Sequence, residues 1–237
     1  MAILNSIIGI LFIFAVAYLL SNNKKHIKWR TIIIGFLIQF GFALIVLKWS
    51  VGRYVLSKVA LGVQGVISYA NEGIGFVFGS LTNDGSIFVV NVLCVIIFIS
   101  AVVSILYYLG IMQFIIRVIG GALSKLLGTS QLETISASAN IFLGQTEAPL
   151  LIKPYVEKLT ESELFTVMVG GLASVSGSIL VGYSLLGIPI EYLISASFMA
   201  APAGLIISKM LYPETEFDKI QNEVKMVKDD SANVVDA

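Results

Sequence analysis

Acidic side chains are absent before Glu72, and charge is scarce throughout. Asp, Glu, Lys and Arg make up 13% of the 237 residues, where a soluble domain carries about 25%. With 57% hydrophobic residues and a mean hydropathy of +0.92, that shortage excludes an ordinary water-soluble domain and points to an integral membrane protein. Cysteine is limited to Cys94, which excludes an intrachain disulfide framework. The lone histidine, His26, lies in a polar loop, so a histidine-rich metal site is excluded and His26 reads as a loop residue. No large basic cluster occurs, and nucleic acid is not an expected partner. There is no His-Glu-x-x-His motif and no glycine-rich phosphate loop followed by Lys and Ser or Thr, so no enzyme is expected.

What the sequence has is apolar runs of membrane-crossing length. Ile3 to Leu20 is long enough to cross about 30 Å of hydrocarbon. No basic residue precedes it, so it reads as a retained transmembrane helix rather than a signal peptide. Lys24, Lys25, Lys28 and Arg30 follow, and this loop is expected on the cytoplasmic side. Trp29 and Trp49 bracket the second run, Thr31 to Leu47, as interface anchors. Helical spacing from Arg53 to Ser68 predicts an amphipathic helix, in the interface or docked on the bundle. Asn71 to Gly85 reads as a glycine-rich connection ending in an Asp84-Gly85 turn. The third crossing is Ile87 to Leu109, and Gly110 to Ser130 is predicted as a short amphipathic helix.

One carboxylate stands out. Glu147 is the only formally charged residue between Glu133 and Lys153, and an ionisable group in so apolar a stretch is a functional candidate. Gly144, Gln145, Thr146 and Pro149 beside it weaken a continuous helix over Thr134 to Ile152. A re-entrant hairpin tipped by Gly-Gln-Thr-Glu fits; a kinked span is the alternative. Gln145 and Glu147 offer donor and acceptor groups, suited to a small polar solute such as a nucleobase or amide. Backbone carbonyls at the tip could serve a hard cation such as Na+. Thr160-Glu-Ser-Glu163 is a capping box, starting a helix rich in Gly and Ser towards Leu186. Those small residues allow close helix contact or a locally unwound, ion-binding helix. A fifth run restarts at Ile188-Pro189 and ends near Leu211, with a kink expected at Ala200 to Gly204. A polar, acidic tail follows.

The chain thus reads as an all-α integral membrane protein, a multi-span helical bundle with a re-entrant helical hairpin. It divides into 1–85 (N-terminal transmembrane helices and interfacial helix), 86–130 (third transmembrane helix and amphipathic connection), 131–212 (hairpin plus two core helices) and 213–237 (polar linker or tail).

Three motifs carry a resemblance. They are Ser138-Ala-Asn140-Ile-Phe-Leu-Gly144-Gln145-Thr146-Glu147-Ala-Pro149-Leu, Gly170-Gly-Leu-Ala-Ser174-Val-Ser-Gly177-Ser, and Ser197-Phe-Met-Ala-Ala-Pro202-Ala-Gly204-Leu, the last followed by Pro213-Glu-Thr-Glu216. With these the sequence resembles the concentrative nucleoside transporter family, as an N-terminal portion only: the first half of an inverted-repeat transporter. The resemblance implies Na+-coupled nucleoside uptake (H+ is the other candidate ion) by a homotrimer in the plasma membrane, with elevator-like movement. It implies that Gly144, Gln145, Thr146 and Glu147 face the nucleobase, with Ile179 as an apolar contact. It implies that Asn140, Leu143, Ser174 and Val175 surround the sodium ion, Leu143 and Val175 through backbone carbonyls. No other cofactor is implied. Family members run to roughly four hundred residues, so a separate polypeptide supplying the second half is an expected partner beside nucleosides and the lipid bilayer, and the chain is expected to be inactive alone. The competing expectation is a non-transporting truncated remnant with a structural or oligomerisation role.

Overall fold

A computed structural model describes residues 2–79 and 89–220. The Asp84-Gly85 turn, and the tail from residue 221 on, lie outside the described residues. The described chain is all helical. Its α-helices are α1 (Ala2–Leu19), α2 (Trp29–Leu47), α3 (Ser50–Phe78), α4 (Cys94–Tyr108), α5 (Ile111–Leu127), α6 (Gln131–Ala139), α7 (Glu161–Leu172), α8 (Gly177–Leu185) and α9 (Ile190–Leu211). A π-helical turn, Val89–Leu93, leads into α4, and a long 3-10 helix, Ala148–Lys158, lies between α6 and α7.

Among the described residues, four stretches are long and apolar enough to cross a membrane: Trp29–Val46, Val89–Tyr108, Glu161–Leu185 and Ile190–Leu211; α1 is a shorter apolar helix. Large apolar side chains point outward along them, including Leu11 and Phe12 of α1, Leu37 of α2 and Ile97 of α4. A soluble monomer does not present such continuous apolar surface; hydrocarbon is the solvent that suits it. The protein is a multi-pass integral membrane protein.

Helix α9 is the central post. Ile206 and Met210 pack with Ala17 of α1 and Ile32 of α2. Leu205 and Ala201 pack with Leu127 of α5 and Ala137 of α6. Pro202 lies inside α9, which continues through it to Leu211. On the far side, α3 contributes Ala60, Ile67, Ala70 and Ile74 to a cluster with Val95 and Ile99 of α4 and Val181 of α8.

Helix α3 corrects one expectation. The sequence reading stops the helix near Ser68 and makes Asn71 onward a connection, yet α3 runs to Phe78. Ala70 and Ile74 are buried and continue the stripe begun by Ala60 and Ile67. That burial overrides the cost of Gly73 and Gly75, about 1 kcal/mol each in a helix interior. Helix α5 fills the segment predicted as a short amphipathic helix, burying Met112, Ile116, Leu123 and Leu127. The segment after α9 begins docked on the bundle rather than free. Glu214 is buried, and the Lys28 ammonium sits 4.0 Å from the Phe217 ring centroid.

Candidate functional site

The hairpin is built from two short arms. The first is α6. Its Ser130 hydroxyl accepts from the Glu133 amide while Glu133 Oε1 accepts from the Ser130 amide at 2.7 Å. Nine residues at 1.5 Å each reach about 13 Å, under half the hydrocarbon thickness. The α ladder ends at Ala139, and residues 140–147 form successive turns. In these, Leu143 N donates to Ala139 O (2.8 Å) and Ala148 N to Gly144 O (3.0 Å). The second arm is the 3-10 helix Ala148–Lys158, with Pro149 in its first turn and Pro154 inside it. Proline has no N–H for an α ladder, and the arm winds as 3-10 instead. Leu132, Ile135 and Ala139 of the first arm share one buried cluster with Ala148, Leu151 and Ile152 of the second. The arms lie side by side as a re-entrant hairpin, which decides against a kinked span. The hairpin extends beyond the predicted Thr134 to Ile152 at both ends.

The tip docks where the next membrane segment is broken. Helix α7 opens on the expected capping box: the Thr160 hydroxyl accepts from the Glu163 amide at 3.1 Å, and Glu163 Oε2 accepts from the Thr160 amide at 3.0 Å. It ends at Leu172, and α8 restarts at Gly177. The helix is interrupted between α7 and α8, and Gly171 and Gly177 on either side of the break sit at close contacts. The Gly177 amide donates to Phe142 O at 3.0 Å. A Cβ on Gly177 would stand 2.9 Å from that same oxygen, and one on Gly171 would stand 3.1 Å from Gln145 Cβ. Only a residue without a side chain lets these backbones approach so closely.

Around this junction several predicted residues meet. Asn140 is buried; its Nδ2 donates to Ser136 O at 3.1 Å, and its Oδ1 is buried without a hydrogen-bond partner. A Cβ on Gly170 of α7 would lie 3.4 Å from Asn140 Nδ2, so Asn140 faces the last turn of α7. There the Ser174 hydroxyl donates to Gly170 O at 2.7 Å. A hydroxyl that donates once keeps lone pairs for another partner. Gly144 lies beside Ser176, and its amide donates to Glu147 Oε2 at 3.0 Å. Gln145, Thr146 and Glu147 are exposed.

A cavity of about 330 Å³ adjoins the tip, lined by Phe142, Leu143 and Glu147 of the hairpin, Ser178 of α8, and Ser100, Ser104 and Tyr107 of α4. Its size is that of a small-molecule site. Gln145, Thr146 and Ile179 are not among its lining; Ile179 and Val175 lie on the exposed side of the α7–α8 break. Sequence reasoning missed Phe142, Ser178 and the α4 residues. The serines of α4 are single polar interruptions of an apolar helix, a weak signal until α4 is seen to pass the tip. It also missed a buried ionic cluster at the opposite end of the hairpin, made by Glu133 and Lys209 with Glu163 and Glu214. Among the described residues no group of His, Cys, Asp and Glu is placed to hold a metal ion.

Comparison with known proteins places this geometry in context. Residues 8–81 match the family described as Na+ dependent nucleoside transporter N-terminus. Residues 89–189 match a gate family described as nucleoside recognition, and residues 192–237 match the Na+ dependent nucleoside transporter C-terminus. The third match corrects the expectation of an N-terminal portion only, since family sequence extends over the whole chain. An uncharacterized transporter of Haemophilus influenzae is 53% identical over 220 residues, 91% of this chain and 53% of that protein. The nucleoside permease NupC of Helicobacter pylori is 46% identical over 94% of this chain and 55% of its own. The solved structure of CNTnw in an inward-facing substrate-bound state superposes with a TM-score of 0.92 at 47% identity, covering 100% of this chain and 57% of that one. The chain therefore spans a little over half the length of each of these three proteins.

Proposed function

The chain belongs to the Na+-dependent nucleoside transporter family, and from that premise we propose that it carries the nucleobase-binding part of a sodium-coupled nucleoside uptake system of the plasma membrane. Gln145 and Glu147 hydrogen-bond the nucleobase, with Gly144 and Thr146 beside them and Ile179 as an apolar contact. Glu147 spends one oxygen on the Gly144 amide and keeps the rest of its acceptor capacity for a ligand donor. Na+ is held by the Asn140 side chain, the Ser174 hydroxyl and the carbonyls of Leu143 and Val175. Sodium is a hard cation that takes oxygen ligands, and backbone at a broken helix supplies them.

The observation that carries the reading is the orphaned Oδ1 of Asn140, buried at the junction of hairpin tip and broken helix. A buried acceptor without a donor costs roughly 1–3 kcal/mol, and a cation relieves that cost. The hairpin tip and the broken helix belong to a transport unit that moves in elevator fashion against a trimerisation scaffold, in a homotrimer. The exposure of Gln145, Thr146 and Glu147 leaves their side chains accessible to a solute.

The test is a Thr146→Cys, Cys94→Ser variant joined by a polypeptide covering the remaining length of a relative. Uridine with Na+ should slow thiol labelling at position 146, and uridine with choline should not. Labelling indifferent to uridine in both ions would overturn the assignment of the tip.

A further inference from the structure

Helices α1 and α2 leave an apolar groove of about 440 Å³ open on the outside of the bundle. Leu11 and Tyr18 of α1 and Trp29, Ile33 and Leu37 of α2 wall it, and Met210 of α9 is its floor. Met210 is buried, while the five wall residues are exposed. The walls run from Tyr18 back to Leu11 and from Trp29 on to Leu37. At 1.5 Å per residue that is about 10–12 Å, most of the roughly 15 Å that one leaflet contributes to the hydrocarbon core. Tyr18 and Trp29, with ring centroids 6.1 Å apart, stand at the mouth, as aromatic side chains do at the membrane–water interface. The groove thus starts at the headgroup level and runs into the hydrocarbon.

The mouth is cationic and has no counter-charge of its own. The Lys24 ammonium sits 5.8 Å from the Tyr18 ring centroid, and Lys25 beside it in sequence is exposed. Arg30 precedes Ile33 and Leu37 on α2 at i, i+3 and i+7, so it shares the face that walls the groove. No acidic residue precedes Glu72, so α1, α2 and the loop between them carry no anion. Among the described residues the ion pairs are those of Lys209 with Glu133 and Glu214, and of Lys219 with Glu216. Lys24, Lys25 and Arg30 take part in none. Lys28 is turned to the Phe217 ring instead, 4.0 Å from its centroid and next to Asp218 in sequence. Lys24 and Arg30 are left as the cations of the mouth.

We propose that this groove binds one anionic phospholipid, with an acyl chain along Leu11, Ile33 and Leu37 and the phosphate-bearing headgroup on Lys24 and Arg30. An apolar groove alone accepts any lipid. The cations at its mouth select the charged headgroup, each worth about fivefold in affinity near a membrane surface. The loop that carries them is expected on the cytoplasmic side, the leaflet whose anionic lipids attract cations next to a transmembrane helix. A second copy of the chain packing through the same face would set these cations against their own kind. The site lies outside the hairpin and does not depend on the nucleoside reading.

Trp29 and Trp49 are the two tryptophans of the chain, so Trp49→Phe makes Trp29 the single fluorescent reporter at the mouth. The full chain carrying that change is reconstituted in phosphatidylcholine vesicles with increasing fractions of phosphatidylglycerol, or of phosphatidylcholine, brominated in the upper acyl chain. Brominated phosphatidylglycerol should reach half-maximal quenching at a mole fraction about fivefold or more below that of brominated phosphatidylcholine. Lys24→Gln with Arg30→Gln should bring the two lipids within about twofold of each other. Lys48→Gln with Lys58→Gln, which removes exposed cations beyond the far end of α2, should leave the preference intact. Equal quenching by the two lipids would overturn the proposal. So would a preference that survives the loss of Lys24 and Arg30 or disappears with Lys48 and Lys58. Absence of quenching by either lipid, as a second copy seated over the groove would give, would overturn it as well.

Discussion

Adding one methyl group at Gly177 should loosen the docking of the hairpin tip on the broken helix. The built Cβ stands 2.9 Å from Phe142 O, inside normal contact, and the obstructing atom is backbone. That oxygen also accepts the Gly177 amide at 3.0 Å, so it cannot retreat without lengthening the bond. Overpacking of this kind costs about 1–3 kcal/mol, and a weakened hydrogen bond adds about 0.5–1.5 kcal/mol. The gain from replacing glycine in a helix is at most about 1 kcal/mol, and smaller at the first residue of α8. The net expectation for Gly177→Ala is a loss of about 1–3 kcal/mol. Gly121→Ala is the control: it lies inside α5 with nothing within 4 Å of the built Cβ, so it should be neutral or gain about 0.5–1 kcal/mol. Thermal unfolding in detergent, followed by circular dichroism, should rank Gly121→Ala at or above the unsubstituted chain and Gly177→Ala below it. A Gly177→Ala variant melting at or above the unsubstituted chain would refute the close docking of tip and break.

Further expectations follow from the same geometry. Thr160→Val removes the cap of α7 and the hydroxyl donated to Glu214; it should cost about 1–3 kcal/mol, read as a lower melting temperature, whereas Thr160→Ser should retain most of the stability. Alone in vesicles, the chain should give no saturable Na+-dependent uridine uptake, and clear uptake would overturn the reading that these residues hold only part of the solute site.

The tip was legible because its signal is local. Gly144, Gln145, Thr146, Glu147 and Pro149 sit within a few residues of one another, and each weakens an apolar helix in its own way. The capping box at Thr160 was legible for the same reason. The same pattern at Ser130 to Glu133 marks the true start of the first arm, three residues before the predicted Thr134. The length of α3 was not legible, because Ala70 and Ile74 hold it helical through tertiary packing, in a cluster shared with Val90, Val95 and Ile99. Nor was the ionic cluster. Lys209 and Glu133 are far apart in sequence, each looks like an ordinary helix-end charge, and only the packing of α6, α7 and α9 buries them against each other.

The central claim is that Glu147 at the hairpin tip recognises the nucleobase beside a sodium site. Na+-dependent uridine uptake by the chain joined to the remaining length of a relative, compared between the unsubstituted form and Glu147→Gln, tests it most directly. Losing a charge-assisted acceptor worth about 1.5–3 kcal/mol should reduce uptake at limiting uridine roughly tenfold to a hundredfold. Uptake within twofold or so of the unsubstituted form, far below what such an acceptor is worth, would contradict the account.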